Sequence, residues 1–366
     1  MAHRASPQRQ YDEVLTRLFF AMPLAIHEPL EPMEALSVDE IPTGGFWQYE
    51  PKWDGFRCLA FRDGKKVYLQ SKSGQPLARY FPELVEALAR VSAKQFAIDG
   101  EIVIARGGRL SFDDLLMRIH PAASRIRKLA DATPALLIVF DLLADERGKS
   151  LLEKPLTERR GRLEKFAERY FGSQPSLRLS PVTTDIRQAR RWFQSAGAAL
   201  DGIVAKRLDM PYRSGDRLGM QKIKPNKTVD CVVGGFRFAS GSPVVGSLLL
   251  GLYDVDGLLH HVGFTSNFKA AERKALLEKL RPLIAPPGFT GAAPGGPSRW
   301  STKRSTEWQP LRPKLVVEVS YDHFTGGRFR HGTSLVRWRP DKAPRQCLLE
   351  QVSVKGKGSL RLLKRA

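Results

Sequence analysis

Cysteine is scarce, with three in 366 residues: Cys58, Cys231 and Cys347. An odd number, spread far apart, supplies neither a disulfide framework nor the close pair of a zinc or redox site. The seven histidines show no ligand spacing. The adjacent His260-His261 falls on alternate faces of an expected strand and reads as structural. No apolar run approaches the ~20 residues of a membrane-spanning helix. Leu18-Phe19-Phe20-Ala21-Met22 is short, and Asp12-Glu13 before it and Pro23 after it suit a signal peptide poorly. A reducing cytoplasm, off the membrane, is the expected setting. Both standard phosphate cradles, G-x-x-x-x-G-K-[ST] and G-x-G-x-x-G, are missing. A bound nucleotide would therefore have its phosphates held by side chains. Acid is in short supply as well: 38 Asp and Glu face 59 Lys and Arg, for a net charge of +21. The excess is +9 over residues 1–228 and +12 over residues 229–366. A surplus of this size points to a polyanion, nucleic acid first.

What is present is globular. Hydrophobic content of 42% and charged content of 27% are ordinary values for a folded chain. The length calls for two domains. The most informative stretch runs from Tyr49 to Phe61. Asp54-Gly55 is turn chemistry, and aromatic-rich, alternating sequence flanks it. If Tyr49–Asp54 is extended, Tyr49, Pro51 and Trp53 face one way and Glu50, Lys52 and Asp54 the other. Lys52 then stands between carboxylates, close to Arg57. A lysine held in a pocket near another cation can lose its proton and attack an electrophile.

Further along, Arg62-Asp63-Gly64-Lys65 reads as a hairpin turn and Pro82 as the start of a helix. Phe96–Ile104 reads as a strand with Phe96, Ile98, Ile102 and Ile104 on one face and Asp99 and Glu101 on the other. Leu136–Leu143 is a buried strand carrying Phe140 and Asp141. Residues 11–22, 112–131, 155–170 (with Thr157 as cap) and 185–196 are expected helices. Asp201 opens a third strand, and Tyr212–Arg217 is a basic loop. Lys222 and Lys224 share one face if extended, where they repel unless an anion lies between them. A boundary is placed at Pro225–Thr228. Beyond it five short strands, Val229–Phe238, Ser247–Asp254, Leu258–Phe264, Leu315–Asp322 and Leu335–Arg339, surround a helix with Leu276, Leu277, Leu280 and Leu283. On a basic background this suits a small Greek-key barrel of the OB type.

These residues resemble, in order, the motifs of the covalent nucleotidyltransferases. Glu50-Pro-Lys52-Trp-Asp54-Gly55-Phe-Arg57 is similar to motif I, and Ser71-Lys72-Ser73-Gly74 to motif Ia. Asp99-Gly100-Glu101 is similar to motif III and Phe140-Asp141 to motif IIIa. Asp201-Gly202-Ile-Val-Ala-Lys206 corresponds to motif IV, Lys222-Ile-Lys224 to motif V and Arg339-Pro-Asp341-Lys342 to motif VI. The nearest resemblance is to bacterial ATP-dependent DNA ligases of the stand-alone C-type and to the ligase module of D-type end-joining proteins. The chain has no room for the other modules of the latter. The resemblance implies an α+β fold: an adenylation domain of antiparallel sheets and flanking helices over residues 1–225, then an OB-fold β-barrel over residues 226–366. It implies Lys52 as the nucleophile. Glu50, Arg57, Lys72, Glu101, Phe140, Arg217, Lys222, Lys224, Arg339 and Lys342 would bind ATP, and Glu101 and Asp201 would hold Mg²⁺ or Mn²⁺. Lys222, Lys224 and the metal are expected to depress the pKa of Lys52. The substrate implied is nicked double-stranded DNA, handled by a monomer in the bacterial nucleoid, with a repair polymerase or end-binding protein as partner. A hinge near Pro225–Asp230 would swing the second domain. Three positions depart from the motifs: Lys72 stands for Arg, Asp201 for Glu and Met220 for Trp. Other readings of the same residues are an RNA ligase, a capping guanylyltransferase, or a nucleic-acid-binding protein without catalysis.

Overall fold

Contacts divide the chain between Pro225 and Asn226 into two units, with Leu362 and Leu363 grouped with the first. The computed structural model describes residues 24–172, 174–194, 200–295, 307–352 and 362–363. The helix expected over residues 11–22 lies outside them. Among the described residues no helix is long and apolar enough to cross a membrane.

In the first unit, strands β1 (Leu36–Ser37), β2 (Trp47–Lys52), β3 (Phe56–Asp63), β4 (Lys66–Ser71), β5 (Gln95–Arg106), β6 (Arg109–Leu110), β7 (Ala135–Ala144), β8 (Leu177–Leu179), β9 (Gly202–Arg207) and β10 (Met220–Ile223) form two sheets. One runs β1-β10-β9-β2 and the other β4-β3-β5-β7-β8, with β6 paired to β5. Helices α1 (Pro82–Arg90), α2 (Phe112–Met117), α3 (Ala123–Ala132), α4 (Leu156–Tyr170) and α5 (Ile186–Gln194) accompany them. The sheets are not purely antiparallel as expected, since β1 pairs β10 and β7 pairs β8 in parallel. The second case follows from α4, a helical crossover that returns the chain in the same direction.

Strand alternation sets the layers. Phe96, Ile98, Ile102 and Ile104 enter a core with Leu84, Leu88, Leu163 and Phe166. Asp99 and Glu101 lie on the other face of β5, and Asp99 is completely buried there. Pro51 is tolerated in β2 because that strand ends its sheet, where a missing N–H costs little. The helix expected over residues 112–131 is two helices. Pro121 biases His120 away from helical geometry and parts α2 from α3. Thr157 is not the cap of α4: Pro155 holds that place, and the Thr157 hydroxyl donates to the Leu208 carbonyl.

Two glycines let neighbouring strands approach closely beside the pocket described below. A Cβ on Gly55 would meet the Ile102 carbonyl at 2.1 Å. One on Gly202, where φ is +137°, would meet the Ile223 carbonyl at 2.1 Å. Neither contact involves an atom that can yield. Gly202→Ala combines a backbone clash with a disfavoured φ, and is expected to cost about 3 kcal/mol or more. Chemical denaturation checks this, and an unchanged midpoint would refute it.

In the second unit, β11 (Lys227–Ala239), β12 (Ser242–Tyr253), β13 (Leu259–Thr265), β14 (Gln309–Pro310), β15 (Val316–Tyr321), β16 (Phe324–Thr325), β17 (Arg328–Phe329), β18 (Ser334–Trp338) and helix α6 (Glu272–Leu280) enclose a second core. The main sheet runs β13-β12-β11-β15-β18, with β14 on β11. The expected barrel does not close through a ladder among the described residues. Its edges meet at one parallel bridge, Thr265 with Thr333. Five register shifts along β11, β12, β13, β15 and β18 curl the sheet toward itself. His260 bonds Asp254 at 2.6 Å, and burial beside Arg328 and Arg237 pushes the His261 pKa down to about 3.

Candidate active site

Strand register builds the site. Lys52, the last residue of β2, pairs with Gly202 of β9. Asp201 is the next residue, so its carboxylate meets the Lys52 ammonium directly, and its backbone N–H donates to the Lys52 carbonyl at 2.9 Å. Tyr49 and Trp53 pack into an apolar cluster. Glu50 and Lys52 face a pocket, whose wall Pro51 and Trp53 also reach. That pocket holds about 820 Å³, its open mouth included, and Pro51, Trp53, Arg57, Glu101, Phe140 and Lys222 are among its walls.

Arg57 sits opposite Glu101 and diagonal to Asp99 on β5. Its guanidinium grips Asp99 through two bonds of 2.5 and 2.6 Å. Burial opposes the Arg57 charge, but Asp99, Tyr212 and Glu101 more than offset it and raise its pKa. Glu101 is half-buried at the pocket wall. Burial raises its pKa to about 7, and the attraction of Lys52 and Arg57 only partly offsets this. Phe140 is the extra residue of a bulge in β7, where Asp99 pairs Asp141 but Gly100 pairs Val139. Bulges re-aim side chains beside active sites. Here the Phe140 ring has the Arg57 guanidinium 4.8 Å away and the Lys206 ammonium 4.4 Å away. Asp141 leaves the pocket and is clamped by Arg159 of α4 through two bonds of 2.9 Å.

The other expected residues divide. Glu50 lines the pocket and is held by Lys206 at 2.8 Å and by the Gln48 amide at 3.0 Å. Lys72 also lines it, paired with Glu34 at 2.7 Å. Arg217 does not line it and pairs with the same Glu34 at 3.1 Å. Those two cations hold the Glu34 carboxyl below its usual pKa. Lys222 lines the pocket, and its pKa is lowered by burial first and then by Lys52, Lys224 and Lys72. Lys224 turns aside to Asp201 at 3.1 Å. The expected crowd of cations around Lys52 is thus interrupted by a carboxylate that binds two ammonium groups. Arg339 and Lys342 belong to the second unit, where both hold Asp230, at 2.9 and 2.6 Å. Arg339 also bonds Asp341 at 2.8 Å.

The donor set can be judged against a hard divalent cation. Glu101 suits one, because a carboxylate disfavoured by burial gains from a cation. Asp201 suits one only by exchanging an ammonium for it. Three further contributors carry no sequence signal of their own: the loop Pro32–Ala35, which lines the pocket, Gln48, which bonds Glu50, and Tyr212, which bonds Asp99. Only the tertiary fold brings them to these partners.

The model of the ATP dependent DNA ligase domain matches residues 30–224, and that of the ATP dependent DNA ligase C terminal region matches residues 241–342. The chain is 44% identical over 351 residues to the protein named DNA ligase C2 of Mycolicibacterium smegmatis, covering 90% of this chain and 96% of that one. It is 45% identical over 350 residues to DNA ligase C of Mycobacterium tuberculosis, with the same 90% and 96% coverage. A solved structure from a structure–function study of Lig E DNA ligases superposes with a TM-score of 0.52 at 16% identity, over 84% of this chain and 100% of that chain. At that identity the likeness concerns the fold alone.

Proposed function

Because this chain belongs to the ATP-dependent DNA ligases, we propose that it seals 5′-phosphate/3′-hydroxyl nicks in duplex DNA through an AMP adduct on Lys52. Its fold is the adenylation domain and OB-fold of that family. The observation that carries the proposal is the Lys52 amine, presented to a side-chain-lined pocket together with Arg57, Glu101 and Lys222.

ATP enters with its base toward Phe140, where Glu50, fixed by Lys206 and Gln48, offers a carboxylate to an exocyclic amine. Arg57, Lys72 and Lys222 supply cations for ribose and phosphate oxygens. The Lys52 ammonium, aimed by Asp201, must shed its proton before it attacks. A nitrogen–phosphorus bond then forms at the α-phosphorus as the bond to pyrophosphate breaks. Glu101 and Asp201 would hold a magnesium ion, which when bound neutralises charge at the phosphoryl centre. In the second step the 5′-phosphate of a nick takes AMP from Lys52. In the third, the 3′-hydroxyl attacks that phosphate and AMP departs. Arg339 and Lys342 are the second unit's contribution in this reading, released from Asp230 to meet phosphate.

Incubation with ATP and magnesium is expected to add one AMP to the protein, and the product should seal a nicked DNA duplex. Adduct formation with GTP but not ATP would favour guanylyl transfer, and sealing confined to nicked RNA would overturn the DNA assignment. The +21 charge makes phosphate contacts the main source of affinity. Binding to a nicked duplex, followed by fluorescence anisotropy, is expected to weaken about 10³-fold between about 50 and 200 mM salt. A flat salt profile would refute that.

A further inference from the structure

One buried phenol bonds both the Met33 wall of the pocket and the carboxylate that holds Arg57, and lies outside every motif of the family resemblance. Tyr212 belongs to the segment between β9 and β10 and is 3% exposed. Its hydroxyl donates to Asp99 Oδ2 at 2.8 Å and accepts from the Met33 N–H at 3.0 Å. Asp99 is the carboxylate that grips Arg57 by its fork. Met33 lies in the Pro32–Ala35 wall, and its carbonyl accepts from Arg57 Nη2 at 3.3 Å. The Tyr212 ring lies 5.7 Å from the Arg159 guanidinium that clamps Asp141. The Tyr212 N–H donates to the Leu152 carbonyl at 2.8 Å, which ties the segment to the loop before α4.

We propose that Tyr212 is a positioning residue that presets Arg57 for the nucleotide, through Asp99 on one side and the Met33 loop on the other. The inference rests on the reading of this pocket as the ATP site. Asp99 and Asp141 are directly paired across β5 and β7, so two like charges face each other in a buried sheet. Each is neutralised by its own arginine, Arg57 or Arg159. Asp99 could tilt toward other donors if Arg57 alone held it. The phenol fixes the second oxygen, Oδ2, and with it the plane of the Arg57 fork. The same hydroxyl satisfies a backbone N–H that would otherwise be buried without an acceptor. A phenylalanine would fill the same volume and lose both bonds.

The test is ATP affinity, measured by calorimetry in the Lys52→Ala background so that no adduct forms. Tyr212→Phe should fold with an unchanged near-ultraviolet spectrum and bind ATP about fivefold to tenfold more weakly, the scale of a lost buried hydrogen bond. In an Arg57→Ala protein the same change should cost less than about twofold, since residues in one network do not act additively. With Lys52 intact, adduct formation at saturating ATP should stay within about twofold, because positioning for binding appears in KM rather than kcat. Unchanged affinity, or a full loss that persists without Arg57, overturns the proposal. Asp99→Asn loosens the fork from the other end and should give a loss of similar size; unchanged affinity there overturns it too. A parent protein with Tyr212 intact that binds no ATP would refute the pocket reading itself, which is a different failure.

Discussion

Lys52→Ala protein incubated with ATP and magnesium should gain no mass, whereas the parent gains one AMP. The expected loss is complete, because no other amine can take the same position at the α-phosphorus. Lys222 faces the same pocket from β10, and Lys224 is turned onto Asp201. Lys52→Arg should fail as completely, since a guanidinium stays protonated and has no lone pair to offer. Intact-mass spectrometry checks both variants. The third step does not use the amine. The alanine variant should therefore still seal a nick that already carries AMP on its 5′-phosphate, which separates a lost nucleophile from a lost fold. An adduct appearing on Lys52→Ala would place the chemistry on another residue and end the assignment.

Glu101→Gln is expected to lower the rate of adduct formation by about a hundredfold or more, the usual cost of removing a charge aimed at a reacting centre. The same change should stabilise the protein at alkaline pH. Burial raises the folded-state pKa of Glu101 to about 7 from an ordinary 4.5. Between those values the folded state binds more protons than the unfolded state. Raising the pH through that window therefore lowers stability, and above 7 the whole penalty is present. At about 1.4 kcal/mol for each pH unit, the penalty comes to about 3 kcal/mol. Glutamine avoids it. The variant should melt several degrees above the parent at pH 8, and the two should converge near pH 4.5. A variant that is slower and also less stable at pH 8 would mean that Glu101 is held by attractions that outweigh its desolvation.

Several parts of the site were readable because their signal is local. The alternation along Tyr49–Trp53 separates core-facing rings from a pocket-facing lysine within a few residues, and the same holds for Phe96–Ile104. Asp54-Gly55 announces a turn where a side chain would strike a carbonyl. Other features depend on pairing between distant segments. The Phe140 bulge exists only relative to Asp99 and Gly100, forty residues earlier in the chain. The resemblance implies Arg217 as an ATP-binding cation, yet Glu34 from the first loop pairs with it. The break at Pro121 and the place of Pro155 before α4 are local as well, set by the fixed φ and missing N–H of proline.

Length, charge and the order of cationic and acidic motifs determined by themselves the family, the α+β class and the identity of the candidate nucleophile. These properties belong to residues close together along the chain. Which acid meets which base was decided only by the tertiary structure: Asp201 for Lys52, Asp99 for Arg57, Asp141 for Arg159 and Glu34 for Arg217. Ion pairs form wherever register and packing bring opposite charges within a few ångströms. In a chain with 59 basic and 38 acidic residues, composition allows far more pairings than the fold can make.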